Sequence, residues 1–368
     1  MKQNKAKKSE PLIRITKRTD VSLKLGIIVR VIAILIALLV CGIVTKVFTS
    51  DDPISILKTI VHGAFGEGRM LVTLHDVALL LCVSLAVTPA FRMKFWNIGA
   101  EGQVLMGALA TAMCMFFLGG KVPDALLIVI MIVFSIVTAC VWAIIPAFFK
   151  AHWGTNETLF TLMMNYVAIQ LIEYFLKIAD KSGSNVVGPD LLSHGWFPQI
   201  FHTDYVLNIV IVAIITVLLH IYLTKSKHGY ELLVVGESEN TARYIGINVK
   251  KVIIRTMALS GAICGIAGLL IVGGASHSID SNIAGGRGFS AIMVSWLAKF
   301  NPIVMVLTSL LLVFLSRGAD EVSSKFGLNA DFSQILTGII LFFIIGCEFF
   351  IHYQVHFRSS KKAEKEDK

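Results

Sequence analysis

ALLIVIMIVFSIVTACVWAIIPAFF, residues 125–149, runs for 25 positions without a charged side chain. A helix of about 20 apolar residues crosses the hydrocarbon layer of a membrane, because a helix satisfies its own backbone hydrogen bonds. The rest of the chain has the same character: of its 368 residues, 55% are hydrophobic and 15% charged, and its mean hydropathy is +0.76. This composition predicts an all-α, polytopic integral membrane protein. It excludes a soluble enzyme, a disordered chain and a nucleic-acid-binding domain.

Ten apolar stretches are candidates for membrane-spanning helices. They are residues 25–48, 70–91, 99–118, 125–149, 157–176, 205–224, 252–273, 289–298, 303–316 and 332–350. The eighth and ninth stretches are short for a span. The first follows a basic leader and lacks a small-residue cleavage site, so we expect it to remain as an anchor in the lipid bilayer.

The distribution of Lys and Arg predicts the orientation in the membrane. If the amino terminus is cytoplasmic, the inside segments hold 22 Lys and Arg and the outside segments hold 8. Cytoplasmic loops carry the excess of positive charge in membrane proteins, so both termini are predicted to be cytoplasmic. The predicted organisation is a basic leader (1–24), a transmembrane domain (25–350) with a long inside loop (225–251), and a cytoplasmic tail (351–368).

Sequence motifs of common catalytic chemistries are absent. The sequence contains no G-x-x-x-x-G-K-[ST] to bind ATP and no H-E-x-x-H to bind a catalytic metal. His352 and His356 are interpreted as solvated, because two histidines alone are more often solvated than metal-binding. We therefore expect no catalytic residue, metal or cofactor in this chain, and no nucleic-acid partner.

Polar residues within or beside the apolar stretches are candidates for a substrate pathway, because polar groups in a membrane face protein or water. Glu101 begins the third stretch between Gly99 and Gly102, and is interpreted either as a polar anchor that closes a loop or as a wall of a pathway. Asn156, Glu157 and Asn165 recur on roughly one face of the fifth stretch. The full set of candidates is Asn97, Glu101, Gln103, Asn156, Glu157, Asn165 and Trp296.

A weak internal duplication links two of these regions. NIGAEGQ (97–103) opens the third stretch and GGRGFS (285–290) opens the eighth. The offset of five spans is odd, which predicts two halves with inverted orientation, as in many transport proteins.

The inside loop has the signals of a short helix. Ser238 is a candidate N-cap, Glu239 and Arg243 suit the two ends of the helix dipole, and Gly246 is a candidate helix terminator. Ala242 and Ile245 are three residues apart and are predicted to share an apolar face.

The chain resembles the permease subunits of ATP-binding-cassette importers of the ribose and branched-chain amino acid type, especially the nucleoside (basic membrane protein) branch. The resemblance covers about residues 25–350. It is carried by FWNIGAEGQ (95–103), NET (156–158) through MNY (164–166), GESENTA (236–242) through GI (246–247), and GRGF (286–289) with NP (301–302).

The resemblance implies a pore of two permease subunits, identical or paralogous, in the plasma membrane of a bacterium. It also implies cytoplasmic ATPase subunits, which hydrolyse the ATP, and an extracytoplasmic substrate-binding lipoprotein. The inside loop would then be the coupling segment that docks on the ATPase. Its residues are Glu237, Ser238, Glu239, Asn240, Ala242, Arg243, Ile245 and Gly246.

The leading functional hypothesis is ATP-driven uptake of nucleosides. A pentose or hexose carried by the same machinery is the alternative within the class. An ion-coupled secondary transporter is less favoured, because Asp76, Glu101 and Glu157 lie near predicted span ends rather than at span centres.

Overall fold

The computed structural model describes residues 13–18, 23–49, 52–66, 68–180 and 183–357. Within these ranges, nine helices are long and apolar enough to cross a membrane. The fold is all-α and polytopic, as predicted, and it divides into two compact units. The leader 1–24 and the tail 351–368 lie largely outside the described residues.

The first unit comprises residues 1–64 and 315–368. Its helices are α1 (Leu23–Thr49), α2 (Pro53–Phe65), the end of α12 (Pro302–Lys325) and α13 (Ala330–His352). Strands β1 (Ile13–Lys17) and β4 (Tyr353–Phe357) pair antiparallel, with Ile13 opposite Phe357. This pairing brings the two ends of the described chain to the same end of the unit.

A partly buried charge pair joins the two long helices of this unit. Arg30 on α1 donates from Nε to Glu348 on α13 at 3.0 Å. An unpaired charge in a membrane is costly, so each of these side chains makes the other acceptable in a spanning helix. The helices also meet through the rings of Phe48 and Phe332, whose centroids lie 5.4 Å apart.

The second unit comprises residues 65–314. Its spanning helices and short strands are α3 (Met70–Arg92), α4 (Ala100–Leu118), α5 (Asp124–Trp153), α6 (Glu157–Ala179), β2 (Val186–Val187), α7 (Tyr205–Lys225), α10 (Val249–Ile271) and β3 (Ile279–Asp280). Its shorter helices are α8 (Lys227–Glu237), α9 (Glu239–Tyr244) and α11 (Arg287–Leu297), and the first part of α12 completes it. A π-turn at Val272–Ser276 extends α10.

Glycines allow the central helices of this unit to approach closely. A Cβ on Gly265 of α10 would lie 3.0 Å from the Cβ of Ala139 on α5, and its backbone also meets Gly107 of α4. A Cβ on Gly268 would overlap backbone atoms of Val104 and Ala108 on α4. Small residues are the usual means of tight helix packing in a membrane. Helix α10 is therefore held between α4 and α5 by backbone-to-backbone contact.

Two expectations about the spans need correction. The eighth stretch (289–298) is not a span: α11 has 11 residues, which at 1.5 Å per residue is about 16 Å, roughly half the membrane. The ninth stretch (303–316) is longer than expected, because α12 continues to Lys325. Helices α2 and α8 were not predicted.

Candidate functional site

The centre of the candidate site is a junction between the amino-terminal ends of α4 and α11. Glu101 lies in the first turn of α4, and its carboxylate accepts hydrogen bonds from the backbone N–H of Gly286 at 2.8 Å and of Gly288 at 2.6 Å. These donors belong to the start of α11, where the first N–H groups of a helix have no partner inside it. A carboxylate at this positive end makes charge-assisted bonds and is favoured by the helix dipole.

Glycine at 288 is required by this contact. A Cβ at Gly288 would fall against the backbone N of Glu101, and would lie 2.7 Å from both its Cα and its Oε2. The two helix ends could not then approach closely enough for the carboxylate to reach both amides. The segments that the sequence analysis paired as a duplication, 97–103 and 285–290, are thus in direct contact.

The turn before α4 is held by amide side chains. Asn97 accepts from the backbone N–H of Gly99 at 3.1 Å and from Nε2 of Gln103 at 3.2 Å, and donates to Oγ of Ser260 on α10 at 3.2 Å. Asn97, Gln103 and Ser260 are all buried. Buried amides that find several partners fix a single geometry, so this network locks the start of α4 to α10.

Helix α6 holds the same turn from the other side. Asn165 accepts from the backbone N–H of Gly102 at 2.8 Å and donates to the carbonyl of Ile98 at 3.0 Å. Thr161 accepts from the N–H of Ile98 at 3.2 Å. The side chain of Asn165 therefore accepts from a backbone N–H in the first turn of α4, which has no partner within that helix.

The other two candidates on this helix lie at its start. Asn156 is the N-cap and accepts from the N–H of Leu159 at 3.1 Å. Glu157 accepts from Nζ of Lys150 on α5 at 2.8 Å. The structure thus brings Asn97, Glu101, Gln103 and Asn165 together, whereas Asn156 and Glu157 lie apart from them at the amino-terminal end of α6.

A second polar group, not predicted as a site, adjoins the junction through Arg287. Arg287 donates to Asp76 on α3 at 3.4 Å. His75, next to Asp76, lies 3.0 Å from Nδ2 of Asn208 on α7, which also donates to the carbonyl of Leu270 at 3.1 Å. Asp76 and Arg287 could have been noticed in the sequence as charged residues in or beside apolar stretches. Their pairing could not, because they lie 211 positions apart.

Trp296 belongs to an aromatic group at the end of α11. Its ring stacks on Trp96 with centroids 5.7 Å apart, and Phe300 lies 5.4 Å away edge-on. Phe91 on α3 completes the group. Trp96 is 46% exposed and Trp296 is 50% exposed. The group presents aromatic surface outside the packed interior of the chain.

The inside loop folds as two helices, α8 and α9. Ser238 is the N-cap of α9 and accepts from the N–H of Thr241 at 3.2 Å. Glu239 and Arg243 form an ion pair at 3.1 Å, and Gly246 has a φ of +85°. The predicted helix start and stop are therefore correct. Glu237 ends α8, and Asn240 is exposed on α9.

The predicted apolar face of α9 needs correction. Ala242 is 0% exposed, because it packs into a hydrophobic cluster of this same chain with Leu232, Val235 and Val249. It has no surface left for a partner. The exposed apolar side chains are Tyr244, at 92%, and Ile245, at 52%.

The end of α8 packs directly on the turn after α3. A Cβ on Gly236 would overlap the carbonyl oxygen of Arg92 and lie 3.2 Å from Cα of Met93. A cavity of about 190 Å³ opens beside this contact, and its wall includes Lys94, Lys150, Glu157 and Glu237. Helices α8 and α9 thus adjoin the two turns that lead into α4 and α6.

One ion-pair cluster anchors α8. Glu231 accepts from Arg255 on α10 at 3.0 Å, and this hydrogen bond holds the pKa of the Glu231 carboxyl below its usual value. His228 lies against both side chains. The cluster ties α8 to the first turns of α10 by charge.

Comparison with known proteins agrees with this architecture. The family model described as "branched-chain amino acid transport system / permease component" matches residues 69–345. The chain is 28% identical to the glucose ABC transporter permease protein of Haloferax volcanii, over 88% of each chain. It is 29% identical to the guanosine ABC transporter permease protein of Bacillus subtilis, over 83% of this chain and 87% of that one. It is 24% identical to the nucleoside ABC transporter permease protein of Lactococcus lactis subsp. cremoris, over 86% and 90%.

Proposed function

The chain belongs to the family of branched-chain amino acid transport system permease components, and from this premise we propose that it forms the membrane pathway of an ATP-driven nucleoside importer. The protein is a multi-pass membrane transport component and not a catalytic enzyme. ATP is hydrolysed on separate cytoplasmic ATPase subunits. A second permease subunit completes the pore, and a substrate-binding lipoprotein delivers the nucleoside.

The observation that carries the proposal is the junction of α4 and α11. Helices α4 and α11 both begin at this junction, so their amino-terminal ends, which carry partial positive charge, lie close together. Interrupted helices of this kind form the substrate sites of many transporters. Polar groups surround it on one turn and two helices: Asn97 in the turn before α4, Asn165 on α6, and Asp76 on α3. We propose that the predicted pathway residues act here, with Asn156 and Glu157 at the end of the path.

Stacking surface favours a nucleoside over a simple sugar. A purine or pyrimidine has an aromatic face, and Trp96 and Trp296 offer exposed indole faces at the inner end of α11. Stacking of a base on an aromatic side chain contributes about 1–3 kcal/mol, and a hexose has no such face. Glucose transport is the second candidate, because a relative that is 28% identical carries that name.

Transmission from the ATPase runs through α8 and α9 in this proposal. Tyr244 and Ile245 are the exposed apolar side chains that an ATPase groove would bury. Gly236 at the end of α8 lies against the carbonyl of Arg92, so a displacement of α8 moves the turn that leads into α4. ATP can bias the pore only through contacts that differ between its states, and the proposal assigns that role to this contact.

The test is uptake by the complete transporter in proteoliposomes, with its ATPase inside and its binding protein outside. We expect guanosine or uridine to accumulate only when ATP is present, and glucose not to compete. ATP-dependent accumulation of glucose that nucleosides do not inhibit would support the second candidate. Accumulation without ATP, driven by an ion gradient, would refute both.

A further inference from the structure

A basic groove lies where α5 ends and α10 begins. It is a shallow, open groove with a volume of about 430 Å³, lined by His152 from α5, by Asn248, Lys250, Lys251 and Arg255, and by the apolar Ile254. None of the described residues that line it is acidic. Trp153 ends α5 and Val249 begins α10, so the groove lies beside the ends of two helices that are long and apolar enough to span a membrane.

Two positive charges of this groove lie at the amino-terminal end of α10, where the helix dipole disfavours cations. Lys250 and Lys251 occupy the first turn of α10, which has no acidic residue. The amino-terminal end of a helix carries partial positive charge, so cations are unfavourable there and anions are favourable. Two lysines at the start of a 23-residue helix therefore add positive charge to an end that already favours an anion.

The two lysines carry the unmatched charge. Arg255, one turn further along α10, is already engaged by Glu231 at 3.0 Å and by His228 on α8. Lys250 and Lys251 are both exposed, and neither makes an ion pair with a described residue. Within the described part of the chain, no carboxylate neutralises them, so the two ammonium groups are open to an anion at the surface.

The surroundings of the groove match a lipid headgroup. Trp153 is 65% exposed beside it, and Phe148 and Phe149 are also exposed on the last turns of α5. The ring of His152 lies 4.3 Å from that of Phe148. Tryptophan and its aromatic neighbours concentrate at the level of the headgroups. An anion held here would be part of the bilayer.

We propose that this groove binds the phosphate headgroup of an anionic phospholipid. The ammonium groups of Lys250 and Lys251 face the phosphate, and Ile254 contacts the apolar part of the lipid. The backbone N–H of Lys251 takes no part, because it donates to Oδ1 of Asn248, the N-cap of α10, at 3.1 Å. Basic pockets between spanning helices bind anionic headgroups in this way. The inference does not depend on which substrate the protein transports.

The test compares purified protein in nanodiscs of phosphatidylcholine alone and in nanodiscs that also contain phosphatidylglycerol. The variant is Lys250→Gln with Lys251→Gln. Its matched control is Lys225→Gln with Lys227→Gln, which removes the same charge from two other exposed lysines. The two readouts are the midpoint of thermal unfolding and the phosphatidylglycerol retained in native mass spectrometry.

We expect phosphatidylglycerol to raise the unfolding midpoint of the wild type and of the control equally, and the groove variant to lose most of that rise. We also expect the groove variant to lose a retained phosphatidylglycerol molecule that the control keeps. Equal losses in both variants would show a general charge effect and overturn the proposal. So would full stabilisation by inorganic phosphate in phosphatidylcholine, since the ligand would then be a free anion.

Discussion

Replacing Glu101 tests the junction of α4 and α11 most directly. In Glu101→Ala the backbone N–H groups of Gly286 and Gly288 lose their acceptor in the protein interior. A hydrogen bond to a charged group contributes about 1.5–3 kcal/mol, so losing two should lower the free energy of unfolding by about 3–6 kcal/mol. Glu101→Gln keeps one amide oxygen as an acceptor and should lose about half as much.

The measurement is reversible unfolding in mixed micelles, followed by tryptophan fluorescence. Glu239→Gln is the control, because its partner Arg243 is at the surface and the pair is exposed. We expect that control to change the free energy of unfolding by no more than about 0.5 kcal/mol. If Glu101→Ala is as stable as the control, the carboxylate does not hold the junction. A loss of uptake in Glu101→Gln at unchanged stability would instead favour direct contact with substrate.

Three further predictions follow from single contacts. Gly288→Ala should separate the two helix ends and lower both the thermal midpoint and uptake, and wild-type values for both would contradict the close approach. Tyr244→Asp should abolish copurification of the ATPase, because it buries an unpaired charge, whereas Asn185→Asp, at an exposed position outside α8 and α9, should retain it; equal binding by the two would refute the docking surface. Burial lowers the pKa of His277. The unfolded chain therefore takes up the proton first, and stability should fall as the pH drops below about 6.5. His277→Asn should reduce this dependence in melts at several pH values, whereas His202→Asn, an exposed histidine with the same left-handed backbone, should not.

The spans were predictable from sequence because they depend on local composition. Residues 125–149 carry no charged side chain and are mostly apolar, and the structure has one helix there, Asp124–Trp153. The break before α11 was not predictable in the same way. Hydropathy reports that residues 289–298 are apolar but not how far from the membrane surface that helix begins. The positive φ values of Gly285 and Gly286, +60° and +72°, depend on the fold.

The site shows the same division between local and distant interactions. The cap by Ser238 and the pair of Glu239 with Arg243 join residues within four positions, and both were predictable. The partners of Glu101 lie 185 and 187 positions away, so nothing near Glu101 identifies them. Ala242 was assigned to the wrong surface because helical periodicity gives which residues share a face, but not which face the chain itself covers.

The helix break before α11 and the carboxylate of Glu101 on α4 stabilise each other. A helix that starts inside the membrane exposes N–H groups that neither lipid nor its own turns can satisfy. A buried carboxylate needs donors and positive potential for the same reason. Each would be strongly destabilising alone, and together each removes the penalty of the other. The changes in the free energy of unfolding caused by removing the carboxylate and by removing the break should therefore not add when the two are combined. A restored helix through 281–288 in the Glu101→Ala background should destabilise less than the sum of the two changes.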